Sequence, residues 1–557
     1  MNGGKSIGRP EKGNQMKKKD KFLNAIIIYT ALSLTMSNLF AIDESGEKMK
    51  STITVSIDNS APEKAISPYI FGINDRADFS KVSPKSIRLG GNRMTAYNWE
   101  NNKSNAGSDW KNQTDDYMLN TVRPNLKRQP GAAALNVSED AKEHNVPYTL
   151  LTLQMAGYVA NKDGIKNDKN PLDGDDWCKV ENHKNSAFTL TPDKSDHFVY
   201  TDEYLNYLAS KIGKSDSQTG FKAYALDNEP ALWSHTHSLI QKDKILAKDL
   251  IAKSIDLAKT VKDFDPNADV FGPSLFGYSA YDSLGRDWRT IQYENSYKYK
   301  WFIEYYLEKM AEAEKENGIR LLDVLDLHYY TEAKGACGIR KCDHYDNDEC
   351  IKARINAVRS LYDPNYKEKS WITDSGAKHF PLLPKLQKSI DQYYPGTKIA
   401  FTEYNFGGGT DISGAIAQAD FLGILCEYQI YFASIWAFDK AEYQFAAINM
   451  FTNYDGKGSY FGDSLIASTS SDDYTLSSFA AKNKSDGKMH IILVNKSIHD
   501  KTSVEIELNS KDYKSARKYI LDKSGTNIRS DSNEIKIKGD RLTVELEPLT
   551  INHFILD

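Results

Sequence analysis

The chain has 557 residues, 40% of them hydrophobic, which is enough for a large core and too many for one ordinary domain. A formal charge of −5 and a pI near 6.2 leave no basic excess and argue against nucleic acid or an anionic membrane surface as partner. Thirty-three Tyr, 22 Phe and 8 Trp exceed what a core usually needs, and flat ring faces in surplus suit a cleft that stacks on sugars, although tyrosines on sheet surfaces account for part of them.

The first 41 residues read as an export leader. Lys17, Lys18, Lys19 and Lys21 form a positive region, Phe22 to Phe40 is mostly apolar, and the small Ala41 follows as a cleavage residue; Met16 is an alternative start. Asn24, Tyr29, Thr30, Ser33, Thr35, Ser37 and Asn38 make the stretch too polar for a comfortable membrane span. A secreted or cell-surface protein with no membrane span in the mature chain is therefore expected. Within residues 42–65, STITVSIDNS (51–60) alternates apolar and polar residues like a half-buried strand.

From 66 to 440 short apolar runs alternate with longer helical stretches, the pattern of β/α units around a parallel sheet. Eight runs qualify: YIFGIN (69–74), SIRLGG (86–91), PYTLLTLQM (147–155), KAYALDNE (222–229), DVFGPSLFG (269–277), LLDVLDLHYY (321–330), KIAFTEYN (398–405) and YFASIWAF (431–438). Eight is the number that closes a (β/α)8 TIM barrel, so an α/β fold with that barrel is predicted. Between the runs, stretches such as 201–214, 248–264 and 299–317 repeat apolar residues at three and four. From 441 to 557 strand patterns with turn residues take over at 490–497, 502–510, 517–525, 533–539, 540–549 and 551–557, which predicts an additional β-sandwich. The strand within 42–65 is expected to join it and tie the chain ends together.

Two carboxylates stand at the ends of predicted strands. Glu229 closes the fourth run as Asn228-Glu229-Pro230, and Glu403 closes the seventh within TEYN. Strand ends are where barrel enzymes keep their chemistry, and strands four and seven face each other across the mouth. Two carboxylates there, roughly 5 to 5.5 Å apart, would perform retaining glycoside hydrolysis. Other strand ends supply support. Arg88 is placed to hydrogen-bond one carboxylate and keep it ionised, or to form an ion pair within the barrel; His328, Tyr329 and Tyr330 end the sixth run, and a tyrosine hydroxyl there would orient Glu403. Trp436, at the eighth, is placed to floor the cleavage subsite, or else packs in the core.

Five cysteines in an exported chain suggest disulfide use with at least one left unpaired. Cys337, Cys342 and Cys350 share one loop, where a local disulfide is favoured over a zinc site completed by His344; the pairing among these and Cys178 is open. Cys426, in the run FLGILCEYQIYFASIW, reads as an inert core thiol. Asp173, Asp175 and Asp176, with Asp163 and Asp168 upstream, form an acidic loop that is either a solvated face or a structural calcium site; its spacing is not that of an EF-hand.

RLGGNRMTAYNWENN (88–102), SNAGSDW (104–110), ALDNEPALWSHTH (225–237) and FTEYNFGGGTDISGAIAQADFLGI (401–424) closely resemble glycoside hydrolase family 44, over roughly residues 50–557. The resemblance implies an endo-β-1,4-glucanase or xyloglucanase with a (β/α)8 barrel and a β-sandwich built from both chain ends. It makes Glu229 the general acid/base and Glu403 the nucleophile, with Asn228 toward the sugar 2-hydroxyl. Within the motifs Trp99, Trp110 and Trp233 are candidates for stacking on sugar, each also consistent with ordinary packing, and Asn92, Tyr97, Asn98, His235 and His237 for hydroxyl contacts. No cofactor is required, a polysaccharide is the expected partner, and a monomer is expected. A xylanase or mannanase on the same barrel, or a polysaccharide-binding protein without activity, are the alternatives.

Overall fold

A computed structural model describes residues 52–557 except 76–77, 168–174, 342–346 and 439. The expected leader lies outside the described residues, as do Asp168, Asp173, Cys342 and His344. All eight predicted runs form strands: β1 (Gly72–Asn74), β2 (Ser86–Leu89), β3 (Tyr148–Leu153), β4 (Ala223–Leu226), β5 (Asp269–Leu275), β6 (Val324–Tyr330), β7 (Lys398–Asn405) and β8 (Phe432–Ile435). They pair in parallel in chain order, and β8 pairs with β1 to close the barrel. Their runs are continuously apolar because a barrel strand is covered on both faces, by the interior on one side and by helices on the other. Tyr148, Leu150, Ala223, Ala225, Phe271, Val324, Ala400 and Phe432 pack together as one interior cluster toward the N-terminal strand ends.

The helical periodicities lie where the sequence places them, at Thr201–Ile212, Ala247–Phe264 and Phe302–Asn317, each burying one apolar stripe. Helix Ile412–Glu427 differs, with every residue from Ile412 to Cys426 buried. It is covered on all sides because the second domain lies against it: a Cβ on Gly423 would sit 2.2 Å from the Phe479 ring. Burial pushes the Cys426 thiol well above its ordinary pKa, so it packs as an inert apolar group.

The expected boundary at 441 shifts, because Glu442–Thr452 is one more helix of the barrel and the sheet domain starts at Ser464. Its nearly all-round burial hides the helix from a reading of apolar repeats at three and four. The second domain is one continuous hydrogen-bonded sheet whose two halves enclose a common core of Val55, Ile57, Leu476, Ile491, Leu493, Val504, Ile506, Leu542 and Phe554, among others. Strand Ile53–Asp58 inserts between two of its strands, antiparallel to Ser464–Ser470 and parallel to Thr502–Glu507. Strands such as Arg541–Leu546 alternate exposed and buried residues, as a sheet with one wet face requires. Among the described residues no helix is long and apolar enough to cross a membrane.

Cys350 is disulfide-bonded, whereas Cys178, Cys337 and Cys426 are free thiols. A zinc site using thiolates of Cys337 and Cys350 together is therefore ruled out in this oxidised form, since a sulfur in a disulfide carries no thiolate.

Candidate active site

The C-terminal ends of the strands gather the charged residues that the sequence placed at their tips. Arg88 on β2 is fully buried and spends its guanidinium on three elements: Nη1 donates to Glu403 Oε1 at 2.7 Å and to Asn74 Oδ1 at 3.0 Å, and Nη2 donates to Asn228 Oδ1 at 2.6 Å. The two glycines that follow make room. A Cβ on Gly90 would lie 2.3 Å from the guanidinium carbon, and Gly91, at φ 84°, lets the Trp436 ring approach to where its own Cβ would be. Asn74, at the end of β1, fixes Arg88 in turn, because its amide nitrogen donates to the carbonyls of Thr402, Ser434 and Ile435 on β7 and β8.

β4 ends abruptly. Asp227 and Glu229 both adopt left-handed backbone, with φ of 65° and 46°. Such conformations cost a non-glycine residue on the order of 1 kcal/mol or more and persist only where the surroundings hold them. Here they turn Asn228 and Glu229 out of the strand into the barrel mouth. Asn228 is then fixed at three points: its N–H donates to Asp227 Oδ1 at 2.7 Å, its carbonyl accepts the Trp233 indole N–H at 3.1 Å, and its side-chain oxygen accepts from Arg88. What remains is the amide NH2, a donor suited to a sugar hydroxyl.

His328 on β6 bridges the two carboxylates. Its Nδ1 lies 2.8 Å from Glu229 Oε1 and 3.5 Å from Glu403 Oε2. With Nδ1–H donated to Oε1, a proton on Glu229 resides on the other oxygen, free to be passed to a ligand. Tyr330 donates its hydroxyl to Glu403 Oε2 at 2.9 Å. The environments drive the carboxyls apart. Burial pushes both up; at Glu229 it prevails against the His328 hydrogen bond, with the Glu403 charge adding to it, so this carboxyl holds its proton above the usual range. At Glu403 burial is outweighed by His328, by the Arg88 guanidinium and by the Tyr330 hydroxyl, which hold it below that range. Burial also depresses His328, but the Glu403 charge and the Glu229 hydrogen bond overcome it, and the ring protonates more readily than a free histidine. The arrangement is one acid and one base on opposite walls.

Glu229, His328 and Glu403 offer oxygen and nitrogen atoms all within 4.8 Å of one another, which is also a spacing that ligates a cation. The donor set argues otherwise: His328 Nδ1 is engaged with Glu229, and Arg88 already places a fixed positive charge against Glu403. Of the acidic loop, Asp163 pairs with Lys103, Asp175 with Lys162, and Asp176 with Lys166, and the three carboxylates are each half exposed or more.

Two depressions flank the carboxylates. A groove of about 850 Å³ is lined by Asn74, Gly91, Asn92, Trp110, Trp436 and Phe438 among others. On the Glu229 side a smaller cavity of about 230 Å³ is lined by Tyr278, Tyr330, Glu332, Arg340 and Trp371. Trp110 is 62% exposed and Trp436 half-buried, so both present ring faces to the groove. Asn92 opens onto it while its amide donates to Asp109 Oδ2 at 2.8 Å and the Ala106 carbonyl at 3.2 Å.

Other candidates lie elsewhere. Trp99 is fully buried, stacked on Tyr204 with ring centroids 5.0 Å apart, and Tyr97 is buried with its hydroxyl donated to Asn102. Neither reaches a ligand; they pack where the 92–102 turn meets helix Thr201–Ile212. Trp233 is likewise buried and acts by holding Asn228. Asn98 is buried and accepts the Glu100 N–H, and His237 is buried against the Asn92 carbonyl at 2.8 Å, its pKa pushed down to about 4 by burial. His235 is exposed and lines neither depression. Sequence reasoning missed Asn74, which closes YIFGIN at the same strand-end position as the residues it did find, and Tyr278, Arg340 and Trp371, which sit on helical turns of three to five residues, too short to carry a periodic pattern.

The glycoside hydrolase family 44 model matches residues 103–333. An endoglucanase A of Paenibacillus lautus is 41% identical over 539 residues, covering 95% of this chain and 76% of that protein. Among solved structures, a family 44 endoglucanase of Clostridium thermocellum superposes with a TM-score of 0.87 at 43% identity, covering 91% of this chain and all of the other. A family 44 xyloglucanase of Paenibacillus polymyxa, solved with xyloglucan, does so with the same TM-score at 41% identity, over 91% of this chain and 99% of that one.

Proposed function

The chain belongs to glycoside hydrolase family 44, and from that premise we propose that it is a retaining endo-β-1,4-glucanase acting on cellulose-type glucans and xyloglucan. The observation that carries the mechanism is the spacing of the carboxyls. An oxygen of Glu229 and one of Glu403 lie within 4.8 Å, too close to seat the water that an inverting enzyme needs between sugar and base. Glu403, held ionised, attacks the anomeric carbon, and Glu229 gives its proton to the departing glycosidic oxygen. The glycosyl–Glu403 ester removes the negative charge that added to burial in raising the pKa of Glu229, which then takes a proton from water as that water displaces Glu403. The NH2 of Asn228 reaches the 2-hydroxyl, a contact that strengthens as the ring flattens. Neither step uses a metal. Named substrates of the relatives, and an open groove with Trp110 and Trp436 on its floor, support a long glucan chain as ligand. The positive and apolar segments before Ala41 support export to where such polymers are found.

The test is to digest xyloglucan, mixed-linkage glucan, xylan and mannan in parallel and follow the anomeric configuration of the first product by NMR. Release of β-configured ends from the glucans is expected. An α-configured first product would overturn the retaining mechanism, and release from xylan or mannan alone would overturn the substrate.

A further inference from the structure

Asp227 is fully buried at the top of β4, next to the residues that act but touching neither cavity. Its carboxylate accepts four hydrogen bonds. Oδ1 takes the Thr95 hydroxyl at 2.6 Å and the Asn228 N–H at 2.7 Å, and Oδ2 takes the N–H groups of Met155 at 2.5 Å and Ala156 at 3.0 Å. These partners come from the turn after β2, the end of β3 and the end of β4. Among the described residues no cation forms an ion pair with it; Lys253, which feels its charge, donates to the Met155 carbonyl instead, at 3.1 Å. A charge buried without a counterion is retained only where oriented dipoles compensate it. Here the dipoles belong to the segments that must be brought together for Asn228 and Glu229 to face one point.

We propose that Asp227 is the positioning residue of the acid/base, the buried carboxylate that fixes the left-handed turn on which Asn228 and Glu229 leave β4. The inference rests on the reading of Glu229 as proton donor. A carboxylate suits the place because the three backbone partners are obligate donors: two N–H groups on one oxygen, one N–H beside a hydroxyl on the other. An amide of the same shape sets its NH2 against an N–H in either orientation, so Asp227→Asn opens one side of the clamp without leaving a cavity. Glu229 then loses its aim, and with it the transfer of a proton to a poor leaving group.

The experiment compares two substrates in Asp227→Asn, Thr95→Val, Glu229→Gln and the unaltered enzyme. One is a cello-oligosaccharide, whose departing sugar needs the proton; the other is a dinitrophenyl β-cello-oligoside, whose leaving group does not. For Asp227→Asn kcat/KM is expected to fall about 100-fold or more on the first and less than about 10-fold on the second, mostly in kcat. Thr95→Val, which removes one donor and keeps the shape, shows the same preference on a smaller scale and serves if Asp227→Asn does not fold. Equal losses on both substrates, or unaltered rates on the cello-oligosaccharide, overturn the proposal provided that Glu229→Gln discriminates between them. If Glu229→Gln does not discriminate, the reading of Glu229 falls, and the proposal with it.

Discussion

The two ends of the barrel are built from the same parts and do opposite things. At the N-terminal end Asp269, first residue of β5, accepts the hydroxyls of Tyr148 and Tyr431, each at 2.7 Å, and faces Lys398 at 3.4 Å. Tyr69, Tyr148, Phe271, Tyr431 and Phe432 close around it ring against ring. At the C-terminal end Glu403 likewise accepts from a tyrosine and a cation, yet a second carboxyl shares the space, and that carboxyl, Glu229, lines a cavity. The difference teaches that a partly buried carboxylate becomes a plug when aromatic rings fill the space around it. Glu403, the more buried of the two, becomes a reagent because an unlike carboxyl beside it divides the protons unequally.

That contrast breaks most easily at Glu403 itself. Glu403→Gln is expected to lower kcat on glucan by on the order of 10⁴ or more while leaving the melting temperature nearly unchanged. Asp269→Asn is expected to do the reverse, lowering the melting temperature and sparing kcat in the folded enzyme. Steady-state kinetics beside calorimetry on both variants decides it, and a large kcat loss at Asp269 would erase the distinction.

Arg88→Lys sharpens the comparison, because a lysine cannot reach Glu403, Asn74 and Asn228 at once. Glu403 is held below its ordinary range, so activity that depends on its ionised form is present at higher pH and lost as pH falls through that depressed value. Weakening the guanidinium contact raises it, and the acid limb of the kcat/KM profile should move to higher pH while the alkaline limb, set by Glu229, moves less. An unmoved acid limb would mean that Arg88 only braces the barrel.

The smallest effect is expected at the plug. Tyr431→Phe removes one of the two hydroxyls on Asp269 and should cost about 1 kcal/mol of stability in denaturant titration, with rates on glucan unchanged.

The parts of the site that lie on strands were legible, and those fixed by backbone turns were not. Glu403, Arg88, His328 and Tyr330 stand on barrel strands near their C-terminal ends, and Glu229, though a left-handed turn carries it, directly follows the fourth run, so the end of an apolar run marks all five. Trp99, Trp110 and Trp233 look alike in sequence, yet only Trp110 is exposed; which way an indole faces depends on the path of the 92–110 and 230–237 turns, which no hydrophobic period encodes. Asp227 was passed over for a related reason. Its role depends on a left-handed φ and on N–H groups more than seventy residues away, whereas its letter in ALDNEP reads as an ordinary turn former. The barrel itself announced its eight strands, but helix Glu442–Thr452, apolar on most sides, concealed where the barrel stops.

Strand Ile53–Asp58 carries a consequence for how the molecule is made. Its neighbours begin more than 400 residues downstream, so a segment made early waits for one made late before it can be locked in place. Synthesis at roughly 5 to 20 residues per second makes that a delay on the order of tens of seconds. Throughout it that strand lacks both of the neighbours it holds in the finished sheet.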